Sequence, residues 1–169
     1  MKLRRLEEKD APYMLEWMHD EELVRYMNKD FSSMKLENCL AFIKKSLESE
    51  TDIHFAVVDS NDEYQGTASL KNIRDKKAEF GIVVRRNAMG QGLAAEGMKK
   101  ILQYGFDKLS LEFVFWCVDT RNQRAISFYD KNKYHRTEYE KLNAKVDYEE
   151  ELVKQYVWYR CMNPKVLAV

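Results

Sequence analysis

The fold of this chain is decided by a glycine-containing stretch, residues 85–98, which reads RRNAMGQGLAAEGM. A mostly apolar segment, residues 78–84, precedes it, and an amphipathic segment, residues 92–108, follows it. These patterns predict a strand that passes through a turn into a helix. Gly90 and Gly92 would let several backbone N–H groups point toward one spot, which favours a phosphate or pyrophosphate site at the helix start. The alternative is a helix start that uses glycine only for room.

The composition is that of an ordinary globular domain. The 169 residues are 45% hydrophobic and 33% charged, and 28 Lys and Arg balance 28 Asp and Glu. A formal net charge of zero argues against nucleic acid as the main partner, because duplex binding usually requires a basic excess. No apolar run approaches the roughly 20 residues of a membrane span, and the N-terminus lacks the apolar core of a signal peptide. We therefore expect one domain over residues 1–169 and no membrane partner.

The three cysteines, Cys39, Cys117 and Cys161, are odd in number and widely spaced. This spacing fits neither a disulfide framework nor a zinc site, and it indicates a reducing, cytoplasmic compartment. The histidines also lack metal-ligand spacing, so no metal is predicted.

Before the glycine stretch, the patterns predict one strand, three helices and two further strands. Asp10 and Pro12 are a helix-start signal, and Asp20 can cap a second, short helix. Gly66 indicates a bulge in the last of these strands. The predicted elements are a strand at 2–6, helices beginning at Asp10 and Asp20, a helix from 36 to about 49, and strands at 53–58 and 64–73.

After the long helix, the patterns predict a strand, a helix and a closing hairpin. Residues 111–118 form a nearly continuous apolar run, which indicates a central strand covered on both faces. Residues 122–131 read as a helix. Residues 134–140 and 153–160 predict the hairpin, with a long acidic connection between them. Its edge strands are compatible with a homodimer.

This order of elements resembles the GNAT superfamily of acyl-CoA N-acyltransferases, and more closely its branch of ribosomal-protein and spermidine N-acetyltransferases. Residues 90–94, GQGLA, look like the G-x-G/A centre of the family's pyrophosphate loop. Residues 122–131, NQRAISFYDK, are similar to its N-x-x-A-I-x-x-Y-x-K helix, and residues 3–6, LRRL, with Asp10 are similar to its L-R-x-L…D start. The resemblance covers essentially the whole chain.

The resemblance implies an α/β (α+β) fold with a mixed, mostly antiparallel central sheet of about seven strands. Helices would flank this sheet, and a splay would separate its fourth and fifth strands. Two positions depart from the family pattern. Asn87 stands where Arg or Gln is usual, with Arg85 and Arg86 close enough to substitute, and Lys133-Tyr134 replaces the usual Gly-Phe.

The implied activity is acetyl-CoA-dependent N-acetyl transfer to a primary amine by direct attack, without an acyl-enzyme. The amine must lose a proton, the oxyanion needs a fixed N–H donor, and the leaving thiolate needs a proton. We expect Tyr129 to be the general acid and Glu79 to be the base, acting through water. The alternatives are a core tyrosine and a solvated strand glutamate.

The implied acetyl-CoA site is built mainly from backbone groups. The strand before the glycine loop would pair with the pantetheine arm, and the loop would donate N–H groups to the pyrophosphate. Asn122 would either bind pantetheine or cap its helix. The predicted cofactor-binding residues are Ile82, Val83, Val84, Asn87, Gly90, Gln91, Gly92, Leu93, Ala94 and Asn122.

The acceptor is the least determined part. Residues 17–20 and 25–27 are similar to acetyltransferases that act on nucleotide-linked amino sugars, so we expect a small amine of that kind. A polyamine or a protein N-terminal amine is an alternative acceptor, and a non-catalytic acyl-CoA-binding domain is an alternative function. The side chains expected to contact an acceptor are Trp17, Arg25, Tyr26, His54, Lys71 and Trp116.

Overall fold

The structure is a computed structural model, and it describes residues 1–167. Within these residues, its secondary structure consists of seven strands and the helices that cover them. The strands are β1 Lys2–Arg5, β2 Ile53–Val58, β3 Tyr64–Arg74, β4 Lys77–Val84, β5 Phe113–Asp119, β6 His135–Thr137 and β7 Tyr156–Met162. The helices are α1 Ala11–Met18, α2 Glu21–Val24, α3 Leu36–Glu48, α4 Leu93–Lys108, α5 Gln123–Lys131, α6 Glu150–Gln155 and α7 Pro164–Leu167.

All seven strands belong to one sheet, in the order β1-β2-β3-β4-β5-β7-β6. The β4–β5 pair is parallel, and every other neighbouring pair is antiparallel. The last strand, β7, lies between β5 and β6, so β6 forms the edge of the sheet on this side. The expected mixed, mostly antiparallel sheet of seven strands flanked by helices is confirmed.

Apolar side chains cover both faces of the sheet, because successive residues of a strand point to opposite sides. On one face, Val57 and Phe80 pack with Met98 and other residues of α4. On the other face, Val58 packs with Met14 of α1 and its neighbours from α3. A smaller third cluster lies beneath the connection between β6 and β7. The sheet is therefore the middle layer.

The first half of the chain follows the sequence pattern closely. β2 and α3 begin and end within a residue of the predicted bounds. The bulge predicted at Gly66 is confirmed, because the β2–β3 register shifts between Val57 and Val58. A β-carbon at Gly66 would lie 2.2 Å from the carbonyl oxygen of Val83, so this position accepts only glycine.

The expected role of Asp10 is only partly correct. Asp10 does precede α1, but its side chain makes no capping bond to that helix. It is buried, and it accepts two 2.8 Å hydrogen bonds from the guanidinium of Arg4 and one from the Glu7 N–H. This ion pair joins β1 to the start of α1, which gives the L-R-x-L…D pattern a structural cause.

The predicted closing hairpin is correct in its pairing and wrong in its bounds. β6 contains only three residues, and a 3-10 helix, Tyr139–Leu142, follows where strand was expected. Val153, predicted to begin the last strand, lies in α6. Leu142 and Val153 are buried against Trp158, so their apolar character reflects packing of short helical turns and not strand alternation.

None of the helices described in residues 1–167 is long and apolar enough to cross a membrane.

His54 of β2 is a buried titratable group. It is 8% exposed, its Nδ1 lies 2.6 Å from the Ser69 hydroxyl, and the ring of Phe42 packs edge-on against it at 4.8 Å. Burial disfavours the charged imidazolium and lowers the pKa of His54 to about 4. A core role for this histidine, and not a metal-ligand role, agrees with these contacts.

We predict that His54 makes the fold acid-sensitive. The unfolded chain binds this proton near its ordinary pKa of about 6.5 and the folded chain only near 4, so the free energy of unfolding falls as the pH drops through this window. The loss approaches about 3 kcal/mol. Urea unfolding of wild type and His54→Asn between pH 7 and 4 measures it, and the variant should show a flatter profile.

His135→Asn is the control, because His135 is exposed on β6. It should retain the wild-type pH profile. Parallel profiles for wild type and His54→Asn would contradict the prediction.

Candidate active site

The sheet opens between β4 and β5. The two strands pair only at Lys77–Phe113, Ala78–Val114 and Glu79–Phe115, and then diverge. Residues 80–84 remain paired with β3 on one edge, while their other edge has no strand partner among residues 1–167. Backbone polar groups without a partner must be satisfied by water or by a ligand. The predicted splay is therefore confirmed, and it presents an open backbone edge.

This edge leads into the glycine loop, residues 85–92. Gly90 and Gly92 have φ of +78° and +76°, a left-handed conformation that favours glycine. A β-carbon at either position would meet no atom within 4 Å, so the space beside the loop is open. The first helical bond of α4 runs from the Glu96 N–H to the Gly92 carbonyl. The N–H groups of residues 93–95 are thus left for an anion at the helix start.

The two arginines before the loop are held by acidic side chains of the first helices. Arg85 is buried and donates two 3.0 Å hydrogen bonds to the carboxylate of Glu16. Arg86 donates to Asp20 at 2.7 Å, and its guanidinium lowers the pKa of that carboxyl. Both guanidinium groups therefore face α1 and α2, and neither takes the place of Asn87. Further carboxylate contacts come from Glu63 and Glu22.

The two asparagines of the predicted cofactor site make local contacts. The Asn87 carbonyl accepts a 3.1 Å hydrogen bond from the side chain of Gln91, within the loop. The Asn122 side-chain oxygen accepts from the Ala125 N–H at 3.2 Å and caps α5. The capping alternative for Asn122 is therefore confirmed. Capping uses only the oxygen, so the amide nitrogen of Asn122 keeps both of its donors.

Glu79 is the last β4 residue that pairs with β5, and it is only 3% exposed. Its Oε1 lies 3.1 Å from Lys71 Nζ and accepts a 2.9 Å hydrogen bond from the Tyr148 hydroxyl. Its Oε2 is buried without a partner, and within residues 1–167 only Trp116 Nε1 shares this condition. A buried carboxylate oxygen without a donor is costly. Oε2 therefore still lacks a hydrogen-bond donor, and a solvated Glu79 is excluded.

Tyr148 and Cys117 complete the surroundings of Glu79. Burial and the negative charge of Glu79 raise the pKa of both groups, that of the Cys117 thiol to about 12. Both therefore remain protonated at neutral pH. The sequence prediction missed Tyr148, since it lies 69 residues from Glu79 within the long acidic connection. The only signal for Tyr148 in the sequence was that it is an aromatic residue within an acidic segment.

Tyr129 lies on α5 and is 8% exposed. Its ring packs at 5.3 Å from Trp116 and 5.2 Å from Tyr159. Burial raises the pKa of Tyr129, and no hydrogen bond to another residue of 1–167 offsets this effect. The phenol therefore stays protonated at neutral pH and can act as a proton donor.

The structure does not bring Glu79 and Tyr129 into contact, because they lie on opposite faces of the sheet. Phe80 packs with Trp116 and Tyr129 in the apolar cluster beneath α4, and Glu79, one residue earlier, points to the other face. The two side chains therefore flank the splay from its two sides. Trp116 belongs to the Tyr129 side, on the face opposite Glu79.

The remaining residues expected at the acceptor site are dispersed. Trp17 is buried, and its indole N–H donates to the Tyr64 hydroxyl at 2.9 Å, which is a core role. Arg25 lines a surface cleft of about 700 Å³ formed by residues 18–32, and this cleft contains neither Glu79 nor Lys71. The splay, and not this cleft, carries the buried polar groups. Residues 1–167 contain no cluster of three or more His, Cys, Asp or Glu that could hold a metal ion.

An open β4 edge, a glycine loop and a following helix define an acyltransferase fold that receives a coenzyme A thioester. Residues 1–135 match the family model described as Acetyltransferase (GNAT) domain. The chain therefore belongs to the GNAT family and is an acyl-CoA-dependent N-acetyltransferase that uses acetyl-CoA as co-substrate.

Relatives with curated names agree with this family. The chain is 28% identical over 153 residues to an uncharacterized N-acetyltransferase p20 of Bacillus licheniformis, covering 85% of this chain and 86% of that protein. It is 29% identical over 133 residues to spermidine N(1)-acetyltransferase of Escherichia coli K12, covering 78% and 70%.

Solved structures share the fold. Spermidine N-acetyltransferase from Vibrio cholerae, in complex with CoA and spermine, matches with a TM-score of 0.77 at 19% identity and covers 98% of this chain and 97% of that one. A GNAT-family acetyltransferase from Bacillus anthracis matches with a TM-score of 0.74 at 17% identity, covering 96% and 94%.

We predict that Tyr148 is a positioning residue for Glu79. Tyr148→Phe removes the donor to Glu79 Oε1, and a hydrogen bond to a charged group contributes about 1.5–3 kcal/mol. We expect a lower free energy of unfolding and a lower kcat, with the KM for acetyl-CoA unchanged. Denaturant unfolding and steady-state kinetics measure these effects.

Tyr139→Phe is the matched control, because its hydroxyl donates to the Ala144 carbonyl in the same connection at 2.8 Å. It should affect stability without lowering kcat. Equal losses of kcat in the two variants would show that Tyr148 only stabilises the connection.

Proposed function

We propose that the protein transfers the acetyl group of acetyl-CoA to a small primary amine by direct attack, without an acyl-enzyme. One observation carries this proposal: the buried Glu79 has an unpartnered carboxylate oxygen at the point where β4 and β5 separate. A carboxylate there can accept a proton from an amine that approaches the thioester. Tyr129, on the opposite face, can donate one to the leaving group.

Backbone groups bind the coenzyme in this proposal. The open edge of β4 pairs with the pantetheine arm through Ile82, Val83 and Val84, and the amide of Asn122 adds a donor. The pyrophosphate binds at Gly90 and the residues that follow it. The space beside the loop is open there, and the positive end of the α4 dipole favours an anion. The remaining proposed contacts are Asn87, Gln91, Gly92, Leu93 and Ala94.

The reaction then needs three proton transfers: one from the ammonium, one from the nitrogen after attack and one to the leaving thiolate. Glu79, through water, takes a proton from the ammonium form of the acceptor, which frees the nitrogen lone pair. The nitrogen bonds to the thioester carbonyl carbon, and a backbone N–H of β4 stabilises the oxyanion. The carbon–sulfur bond breaks, Tyr129 protonates the thiolate, and the new amide nitrogen releases its extra proton to water. Cys117, whose thiol pKa is raised to about 12, takes no part as a nucleophile.

The proposed acceptor is a small amine such as a nucleotide-linked amino sugar. A polyamine is the second candidate, because a relative at 29% identity is a spermidine N(1)-acetyltransferase. A protein N-terminal amine remains a third acceptor class.

We also propose that residues 1–169 form one domain, since the matched Vibrio cholerae structure covers 98% of the chain. Self-association through the sheet edges is a further proposal, and a fold neighbour at 20% identity is described as dodecameric. The cytoplasmic location stays a prediction.

We predict that acetyl-CoA stabilises the protein. Ligand at 100 times its Kd adds about 2.7 kcal/mol, which corresponds to a Tm increase of about 5–10 °C for a chain of this length. Gly92→Val forces a branched residue into φ of +76° and narrows the open loop, so the increase should largely disappear. Differential scanning fluorimetry measures both.

Lys76→Val is the control, because Lys76 has a similar φ of +58° in the β3–β4 turn, away from the loop. It should lower the Tm of the free protein and keep the acetyl-CoA shift. An unchanged shift in Gly92→Val would remove the glycine loop from the binding site.

We predict that Glu79→Gln and Tyr129→Phe each lower kcat by about 10²-fold or more, because each removes a proton-transfer group. The acetyl-CoA shift in Tm should persist in both variants. Thiol release under saturating acetyl-CoA and amine measures kcat. Glu96→Gln and Tyr104→Phe, both on α4, are the matched controls and should turn over normally; full activity in Glu79→Gln or Tyr129→Phe would refute that residue's role.

A further inference from the structure

The face of the sheet that carries Glu79 also carries a lysine. Lys71 on β3 lies directly opposite Glu79 on β4, and its ammonium is 3.1 Å from Glu79 Oε1. The side chain of Lys71 is 35% exposed, whereas that of Glu79 is 5% exposed. The lysine end of the pair is therefore the end more open to a ligand.

The ammonium of Lys71 lies next to Gly81 of β4. A β-carbon on Gly81 would lie 3.7 Å from Lys71 Cε and 3.8 Å from Nζ. Gly81 belongs to the part of β4 that has lost its β5 partner. The positive charge of Lys71 is thus held beside the open edge, and not out in bulk solvent.

The hydrogen-bonding capacity of this pair is incompletely used. An ammonium has three donors, and Glu79 Oε1 is the one partner of Lys71 within residues 1–167. Glu79 Oε2 has no donor. His54, on the same face, is uncharged at neutral pH because its pKa is lowered to about 4. The face therefore presents one cationic donor and one anionic acceptor side by side.

We propose that the acceptor is an amine with an anionic group only a few bonds from its nitrogen, and that Lys71 binds this anion while Glu79 Oε2 receives the amine. The inference rests on the proposed function. The two contact points are Lys71 Nζ and Glu79 Oε2. Because Oε1 and Oε2 belong to one carboxylate, these points are separated by no more than a hydrogen bond plus the width of the carboxylate. An aminocarboxylate or an amino sugar with a phosphate beside the amine fits this spacing.

A polyamine fits the pair less well. Its groups are all cations, so binding next to Glu79 would bring a second positive charge close to the ammonium of Lys71. An amine with no anionic group brings the same ammonium next to Glu79 and leaves the free donors of Lys71 without an acceptor. The charge pattern therefore selects against both classes and in favour of a zwitterionic acceptor.

The test compares matched amines on the wild-type enzyme by thiol release from acetyl-CoA. The panel contains aminocarboxylates and their carboxamides, amino sugar phosphates and the free amino sugars, and spermidine. We expect kcat/KM for at least one anionic amine to exceed that of its neutral counterpart by about tenfold or more, because a charged donor is unpaired with the neutral compound. Comparison of the aminocarboxylates with the amino sugar phosphates shows whether the preferred anion is a carboxylate or a phosphate.

Lys71→Gln assigns the preference to this residue. Glutamine keeps a donor for Glu79 and removes the charge, so the ratio of kcat/KM between anionic and neutral acceptors should fall toward one. Lys108→Gln, at the exposed end of α4, is the control and should keep the wild-type ratio. The comparison within wild type does not depend on the folding of any variant.

The outcomes separate the two proposals. If spermidine or the neutral amines give as much thiol release as every anionic amine, the inference is overturned. The proposed function stays intact in that case. An unchanged ratio in Lys71→Gln overturns the role of Lys71. No thiol release with any amine in the panel contradicts the proposed function itself.

Discussion

The short parallel pairing between β4 and β5 is the constraint on which the rest of the site depends. Three residue pairs join the strands, and β5 then follows β7, with which it pairs along its whole length. The separation exposes a backbone edge of β4 that no protein group satisfies within the described chain. Among residues 1–167, two buried side-chain atoms lack partners, Glu79 Oε2 and Trp116 Nε1, and both lie where the strands part. Unsatisfied polar groups are costly in a folded protein, and their concentration here is expected where a polar ligand binds.

Ion pairs fix the walls of this opening relative to one another. Arg85 and Arg86, at the end of β4, reach back to acidic residues near α1 and α2, while Arg4 and Asp10 fasten β1 to the start of α1. The Arg4–Asp10 pair is largely buried, so loss of one partner would leave an uncompensated charge. The glycine loop and the first helices are therefore held as one unit. In the proposed reaction, the glycine loop of this unit binds the pyrophosphate of the coenzyme.

Family membership and acceptor identity depend on different parts of the molecule. The backbone edge and the glycine loop suit a coenzyme, and backbone geometry does not distinguish one amine from another. In the proposed reaction, the amine meets side chains on the Glu79 face, where Lys71 and Tyr148 have no counterpart in the family patterns recognised from the sequence. The choice of acceptor therefore depends on few residues, and members of one family can differ in it while sharing the fold.

The sequence by itself determined the features that depend on local spacing. Apolar periodicity predicted β2 and α3, and Gly66 predicted the bulge in β3. The glycine loop and the helix that begins after Asn122 were found where predicted. Only the tertiary structure decided which distant groups meet. Tyr148 reaches Glu79 across 69 residues, Arg85 reaches Glu16 across the same separation, and Val153 packs in a helix that its pattern did not indicate. Periodicity describes which face of an element is buried, whereas these contacts depend on how the sheet order brings separate elements together, and no local pattern encodes that order.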